Sequence, residues 1–294
     1  MKVLVIGGTG TVGSQVVREL LARKAEVSVL TRSPEKAKTL PPGIRGVVGD
    51  LLDPNTIRTA FRGMDAVFLL NGLSPSETHE GLMGLNGARL AGVKRLAYLS
   101  IHQVDRVPWL PHFGPKIAIE TAIEASGIPF TILRPNHFYQ NDYWFKDAML
   151  QHRVYPQPIG SIGVARVDVR DIAEVAAIAL TTEGLQGRTV NLPGPASWTG
   201  TSTAEAWSRA LGKTVVYPGE DMDAWEKETL RVMPPWFAFD IRNMYEHFQK
   251  EGLRATPEEI ESLTTILGHA PRRFEDFVRE TAEAWTRSPS GATT

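Results

Sequence analysis

Cysteine is missing altogether from this 294-residue chain. Its absence removes disulfides, thiolate nucleophiles and most structural zinc sites, and fits a cytoplasmic protein. A surplus of either charge is missing too: 32 Lys and Arg face 33 Asp and Glu, a net of −1. No block of like charge is long enough to act as a nucleic-acid arm, so neither nucleic acid nor an anionic membrane is expected as a partner. Long apolar runs are also lacking. Nothing approaches the roughly 20 residues of a membrane span. Only Val3 to Ile6 separate Met1-Lys2 from Gly7, too short an apolar stretch for a secretion signal. The seven histidines never fall into an H-E-x-x-H or comparable spacing, so no metal is expected.

What is present, 42% hydrophobic and 22% charged residues, is the composition of a globular protein with ample core. Val3-Leu4-Val5-Ile6 is a short apolar run closed by Gly7, the pattern of a strand buried on both faces in a parallel sheet. It recurs at Val27 to Leu30, Val47-Val48, Ala66 to Leu70, Leu96 to Leu99 and Phe130 to Leu133. Helical spacing fills the intervals, as in Val12, Val16, Val17, Leu20 and Leu21, or Ile117 to Ile123 after Pro115. Such alternation predicts right-handed crossovers and an α/β, doubly wound parallel sheet of Rossmann type.

Beyond residue 135 the regularity changes. Residues 138–151 read as helix, 152–168 are broken by Pro156, Pro158, Gly160 and Gly163, and 170–192 return to the sheet as a helix and a strand at Thr189 to Leu192. Helical patterns at Asp223 to Met233, Trp236 to Lys250, Pro257 to Leu267 and Phe274 to Trp285 predict a smaller, mainly helical C-terminal lobe. The expected division is a Rossmann domain over 1–150, a mixed region and substrate lobe over 151–287, and a small polar tail at 288–294 that is expected to be disordered.

Between the first strand and first helix lies Gly7-Gly8-Thr9-Gly10-Thr11-Val12-Gly13, with glycines at G-x-x-G-x-x-G spacing. In that position the pattern predicts a dinucleotide site rather than only a tight turn. Without Cβ atoms the backbone approaches a pyrophosphate closely, and the helix N-terminus presents unpaired N–H groups to its charge. Gly7 is expected to make the turn, Gly10 the close approach and Gly13 the contact of helix with sheet. The second strand ends in Thr31-Arg32-Ser33, without the acidic residue that would hold a ribose 2′-hydroxyl. Arg32 and Lys36 are expected to bind a 2′-phosphate, which favours NADP(H) while leaving NAD(H) possible; otherwise they are plain surface charges. Asp50-Leu51 after the third strand suit the adenine, and Asn71-Gly72 after the fourth lie where the nicotinamide half passes; their alternative role is in caps and turns.

The glycine loop, Gly49-Asp50, Ser100 after the fifth strand, Lys116 and the run Thr131 to Phe138 together resemble the NmrA-like branch of the atypical short-chain dehydrogenase/reductase superfamily. Val167 to Ala173 and Pro271 to Phe277 extend the resemblance over almost the whole chain. In the wider superfamily a Tyr four residues before a Lys donates a proton while the Lys holds the nicotinamide ribose. Here Lys116 is present but position 112 is His. The resemblance implies that Lys116 binds cofactor and acts in catalysis; His112 reads as a replacement proton donor or else as a capping or surface histidine, and just before Gly114-Pro115 its spacing from Lys116 does not guarantee a shared face. The resemblance further implies that Ser100, Asn136, His137 and Phe138 line the cofactor and the substrate entrance, although His137 also reads as a hydrogen-bonded structural residue.

Aromatic residues crowd the same region and the C-terminal lobe. Phe138, Trp225, Trp236 and Phe237 are the group expected to meet a flat, apolar, aromatic substrate. The leading expectation is an NADPH-dependent oxidoreductase reducing a quinone-like or other aromatic small molecule. The alternatives are a tailoring oxidoreductase or oxygenase of a polycyclic metabolite, and a non-catalytic NAD(P)-sensing regulator. Nothing in the sequence speaks to oligomeric state.

Overall fold

A computed structural model describes residues 1–287; the expected disordered tail at 288–294 lies outside the described residues. The described chain forms a seven-stranded parallel sheet in the order β3-β2-β1-β4-β5-β6-β7. Its strands are β1 (Lys2–Ile6), β2 (Glu26–Thr31), β3 (Arg45–Val48), β4 (Ala66–Leu69), β5 (Arg95–Leu99), β6 (Phe130–Pro135) and β7 (Arg188–Leu192). Helices α1 (Thr11–Ala22), α2 (Pro34–Lys38), α3 (Pro54–Ala60), α4 (Glu77–Leu90), α5 (Gly114–Glu124) and α6 (Val169–Thr181) make the crossovers.

Alternate strand residues serve opposite faces of the sheet. Leu4, Ile6, Val67, Leu69, Leu96 and Tyr98 join one core cluster. Val3 and Val5, also fully buried, point the other way, toward the side where α1 and α6 pack together. Helix α1 buries Val12, Val16, Val17 and Leu20 on one stripe, each worth about 1.5–3 kcal/mol. Strand order reverses between β1 and β4, so the chain ends of those neighbouring strands open the crevice where ligands bind in doubly wound sheets.

The chain divides into two compact units. The first comprises Met1–Pro135, Val169–Leu192 and Thr265–Gly268; the second comprises Asn136–Asp168, Pro193–Thr264 and the residues from His269 onward. The division falls at the end of β6, ahead of the boundary at 150 expected from the sequence, because the chain leaves the sheet after Pro135. The second unit carries α7 (Gly200–Leu211), α8 (Met222–Thr229), α9 (Pro235–Glu251), α10 (Pro257–Leu267, which ends in the first unit) and α11 (Phe274–Arg287). The expected helix over 138–151 is instead a 3-10 helix, Tyr139–Phe145, followed by a π turn, Ala148–His152. Three residues per turn bring Tyr139 and Asp142 onto one face, and both are fully buried. Helix α8 also stops at Thr229, short of Met233.

A buried ion pair organises the second unit. Arg166 and Asp142 are both wholly buried, with Arg166 Nη2 donating to Asp142 Oδ1 at 2.6 Å. The same carboxylate accepts from Gln157 Nε2 (2.7 Å), Trp207 Nε1 (2.9 Å) and the Tyr155 hydroxyl (3.2 Å). Arg166 also donates to the Phe138 carbonyl at 3.0 Å and lies 4.8 Å from the Phe274 ring centre. Burial alone would disfavour the charged guanidinium, but Asp142 outweighs it and raises the Arg166 pKa. Arg166→Met therefore strands a charge in the interior. Urea unfolding is expected to show a loss of about 3–5 kcal/mol, partly recovered when Asp142→Asn is added; a loss below about 1 kcal/mol would contradict this role.

Candidate functional site

The loop from β1 to α1 is built by its glycines. Gly7 has φ +75°, a region costly for residues with a Cβ. A Cβ on Gly13 would overlap the Gly7 carbonyl, so only glycine lets α1 start this close to the strand end. Gly10 is different. Its backbone (φ −91°, ψ −179°) suits any residue, and an added Cβ would meet only the Gly7 carbonyl oxygen, at 3.3 Å. The fold thus demands Gly7 and Gly13 and constrains Gly10 less, through one tight contact; Gly10 is exposed with Thr9 and Thr11. Gly10 begins α1 without a side-chain cap, and no acidic residue occupies the first turn. Val12 turns into the core, so the N–H groups of this turn are left for an anion.

At the end of β2, Ser33 caps α2 by accepting from Lys36 N at 3.1 Å. Arg32 and Lys36 are both exposed beside that cap, with Glu35 between them accepting from the Ser33 hydroxyl. After β3, Asp50 Oδ1 accepts from Leu52 N at 2.9 Å in an Asx turn, and Asp50 is half-buried. Leu51 joins the core cluster. Asp53 caps α3, as the Asp-Pro pair implies.

The ends of β4 and β5 hold unsatisfied polar groups. Asn71 is 5% exposed, and neither its Oδ1 nor its Nδ2 has a hydrogen-bond partner among the described residues. Ser100 Oγ, 3% exposed, is equally unpartnered. Leaving such groups dry costs about 1–3 kcal/mol each, and these adjacent strand ends follow the glycine loop in the sheet order. Gly72 meets nothing that a Cβ would disturb. A ribose or carboxamide with donors and acceptors fits these atoms, and the glycine turn fits a pyrophosphate. The Tyr98 hydroxyl is buried without a partner, its ionisation disfavoured by burial and then by Glu77 and Glu120.

Lys116 lies in the first turn of α5 and is 8% exposed. Its Nζ donates to Glu77 Oε1 at 2.6 Å, a partner that sequence reasoning missed. His112 falls in the turn before α5, which opens at Gly114, so the two residues do not share a helix. His112 is nonetheless buried and packs edge-on against Phe113 at 4.8 Å.

In the second unit, Asn136 engages its own neighbours: Nδ2 donates to the Leu253 carbonyl (2.9 Å) and Oδ1 accepts from His137 N (2.8 Å). Phe138 is half-buried. Trp225 packs edge-on against Tyr245 at 5.3 Å, and the 42%-exposed Trp236 against Phe237 at 5.8 Å. Arg242 of α9 ties α8 to it through Asp223 and Glu226. Among the described residues, no group of three or more His, Asp or Glu is placed to hold a metal, and no helix is long and apolar enough to cross a membrane.

His137 Nε2 lies 3.1 Å from Asn141 Nδ2, and its Nδ1 is buried without a partner among the described residues. Burial, and then the Arg166 cation, hold its pKa well below the ordinary 6.5. The unfolded chain takes up that proton where the native protein does not. Native stability is therefore expected to be full above about pH 6.5 and to fall below it, through a component absent from His137→Gln. Urea unfolding across that range checks this; identical pH dependence in the two proteins would contradict it.

Comparison with known proteins follows the same outline. An NAD(P)H azoreductase of Xenophilus azovorans is 30% identical over 287 residues, covering 96% of this chain and 99% of that protein. A (4-alkanoyl-5-oxo-2,5-dihydrofuran-3-yl)methyl phosphate reductase of Streptomyces griseus is 32% identical over 285 residues, covering 96% and 99%. The crystal structure of an NADPH-dependent quinone oxidoreductase from Escherichia coli, complexed with NADPH, aligns with a TM-score of 0.85 at 25% identity, over 95% of this chain and 99% of that one. The NmrA-like family pattern matches residues 1–277. The chain belongs to the NmrA-like family.

Proposed function

We propose that this chain is an NADPH-dependent reductase of quinone-like or other aromatic small molecules. The observation that carries the reading is the uncapped, acid-free start of α1 behind a glycine turn, in a family whose compared members reduce azo, furanone and quinone compounds by name. Bound NADPH supplies a hydride to an electrophilic conjugated acceptor. The protein's task is then to bind, orient and protonate.

In this reading the turn from Gly7 to Gly13, with the exposed Thr9 and Thr11, holds the pyrophosphate. Arg32 and Lys36 hold the 2′-phosphate, and Asp50 with Leu51 the adenosine end. Asn71, Gly72 and Ser100 satisfy their orphaned atoms on the nicotinamide half, to which Asn136, His137 and Phe138 also belong. The Lys116 ammonium donates to the ribose, and His112 gives a proton to the reduced acceptor, a step worth about 10²–10⁴-fold when the acid is well placed. Phe138, Trp225, Trp236 and Phe237 offer apolar surface to a flat acceptor.

Loss of NADPH absorbance against a panel of quinones and azo dyes tests the activity, and a purified protein that oxidises none of them refutes it. Cofactor choice is tested with Arg32→Asp. One charge-assisted bond of about 1.5–3 kcal/mol predicts a KM for NADPH raised about 10- to 100-fold, with that for NADH nearly unchanged. Equal effects on both nucleotides would remove Arg32 from the 2′-phosphate.

A further inference from the structure

Lys116 does not stand alone in its site. Its Nζ is 2.6 Å from Glu77 Oε1, and the two side chains are only 10% and 1% exposed. The other nearby carboxylate, Glu120, is engaged by Arg134 at 2.7 Å. Glu77 reaches Lys116 because of how α4 packs. Gly81, Gly84 and Gly87 follow Glu77 along one helix face. A Cβ on Gly81 would overlap Ile119 of α5, one on Gly84 would lie 2.9 Å from Leu69, and one on Gly87 2.6 Å from Phe61. The contact of Gly81 with Ile119 is matched one turn earlier on both helices by Glu77 with Lys116. The same end of α4 lies beside Asn71, whose Oδ1 is 3.4 Å from where a Gly81 Cβ would stand. The ion pair thus sits next to buried polar atoms that have no partner.

We propose that Glu77 is a positioning residue of the reductase site, fixing the Lys116 ammonium by one of its three N–H groups and directing the other two toward the nucleotide. The assignment rests on the nucleotide-binding reading above. A lysine stem has many rotamers, and in this chain no tyrosine precedes it by four residues to share the task of orientation. A carboxylate anchored on a helix whose glycines hold it at one distance restricts the ammonium to one place. Glu77 itself touches neither cofactor nor substrate, so its whole kinetic effect passes through Lys116.

The test uses the full chain with NADPH and 1,4-naphthoquinone, comparing Glu77→Gln, Glu77→Asp, Lys116→Met and the Glu77→Gln/Lys116→Met pair. Glu77→Gln is expected to raise the KM for NADPH and lower kcat, together by about tenfold in kcat/KM, with the quinone KM unchanged. Glu77→Asp should recover part of that loss. The double variant should be no slower than Lys116→Met alone. It leaves no unpaired buried charge, so the comparison survives if Glu77→Gln fails to fold. Wild-type kinetics in Glu77→Gln or Glu77→Asp, or losses that multiply in the double variant, overturn the role of Glu77 alone. An unaltered protein that oxidises no NADPH overturns the reductase reading as well.

Discussion

The whole arrangement depends on how closely α1 begins behind β1. Gly7 turns with a positive φ and Gly13 leaves no Cβ to strike the Gly7 carbonyl. A larger residue at either position would push the helix N-terminus away from the strand end. The partial positive charge of a helix N-terminus falls off within its first turn, so even a small retreat weakens its hold on an anion. A structural choice made for packing therefore also creates an electrostatic one. The uncapped first turn, with no acidic side chain to neutralise it, keeps that charge available.

Around this turn the parallel sheet gathers chemistry that is far apart in sequence. Asn71 and Ser100 arrive at neighbouring strand ends because β4 and β5 pair in parallel and in register. In the proposed reading their unsatisfied atoms meet a ligand that itself carries donors and acceptors. Lys116 enters from α5 and is met by Glu77 from α4. Within the second unit the Arg166–Asp142 pair plays a different part: it anchors the stretch that follows β6 through the Phe138 carbonyl. It also contributes the cation that helps keep His137 neutral.

Much of this was legible in the sequence, for identifiable reasons. Buried parallel strands are short apolar runs, so each strand expected from the pattern forms, and the glycine loop announces its own geometry. Local capping was equally readable at Asp53-Pro54. Where tertiary packing overrides local preference, legibility ends. Residues 139–145 took a 3-10 form because Tyr139 and Asp142 both had to face inward. Helix α7 was overlooked, although Thr199 and Ser202 cap it reciprocally. Glu77 is not among the residues that the sequence singles out. The signal lay in the stripe Gly81, Gly84, Gly87, which marks a face pressed against its neighbours, with Glu77 one turn earlier on that same face. The four-residue spacing of His112 and Lys116 gives them no shared helix face, since the helix begins only at Gly114.

The central claim, that an anion-binding helix start holds NADPH, is tested most directly by calorimetric titration of the nucleotide into the native chain and into Gly10→Ala. The dihedrals at Gly10 suit alanine, but its Cβ would stand 3.3 Å from the Gly7 carbonyl oxygen, a tight contact, so the melting temperature is measured alongside the affinity to separate ligand approach from folding. The account predicts one NADPH per chain, an unchanged melting temperature in the variant and an affinity weakened at least about tenfold, or 1.4 kcal/mol. No heat of binding in the native protein, or undiminished affinity in Gly10→Ala, would contradict it.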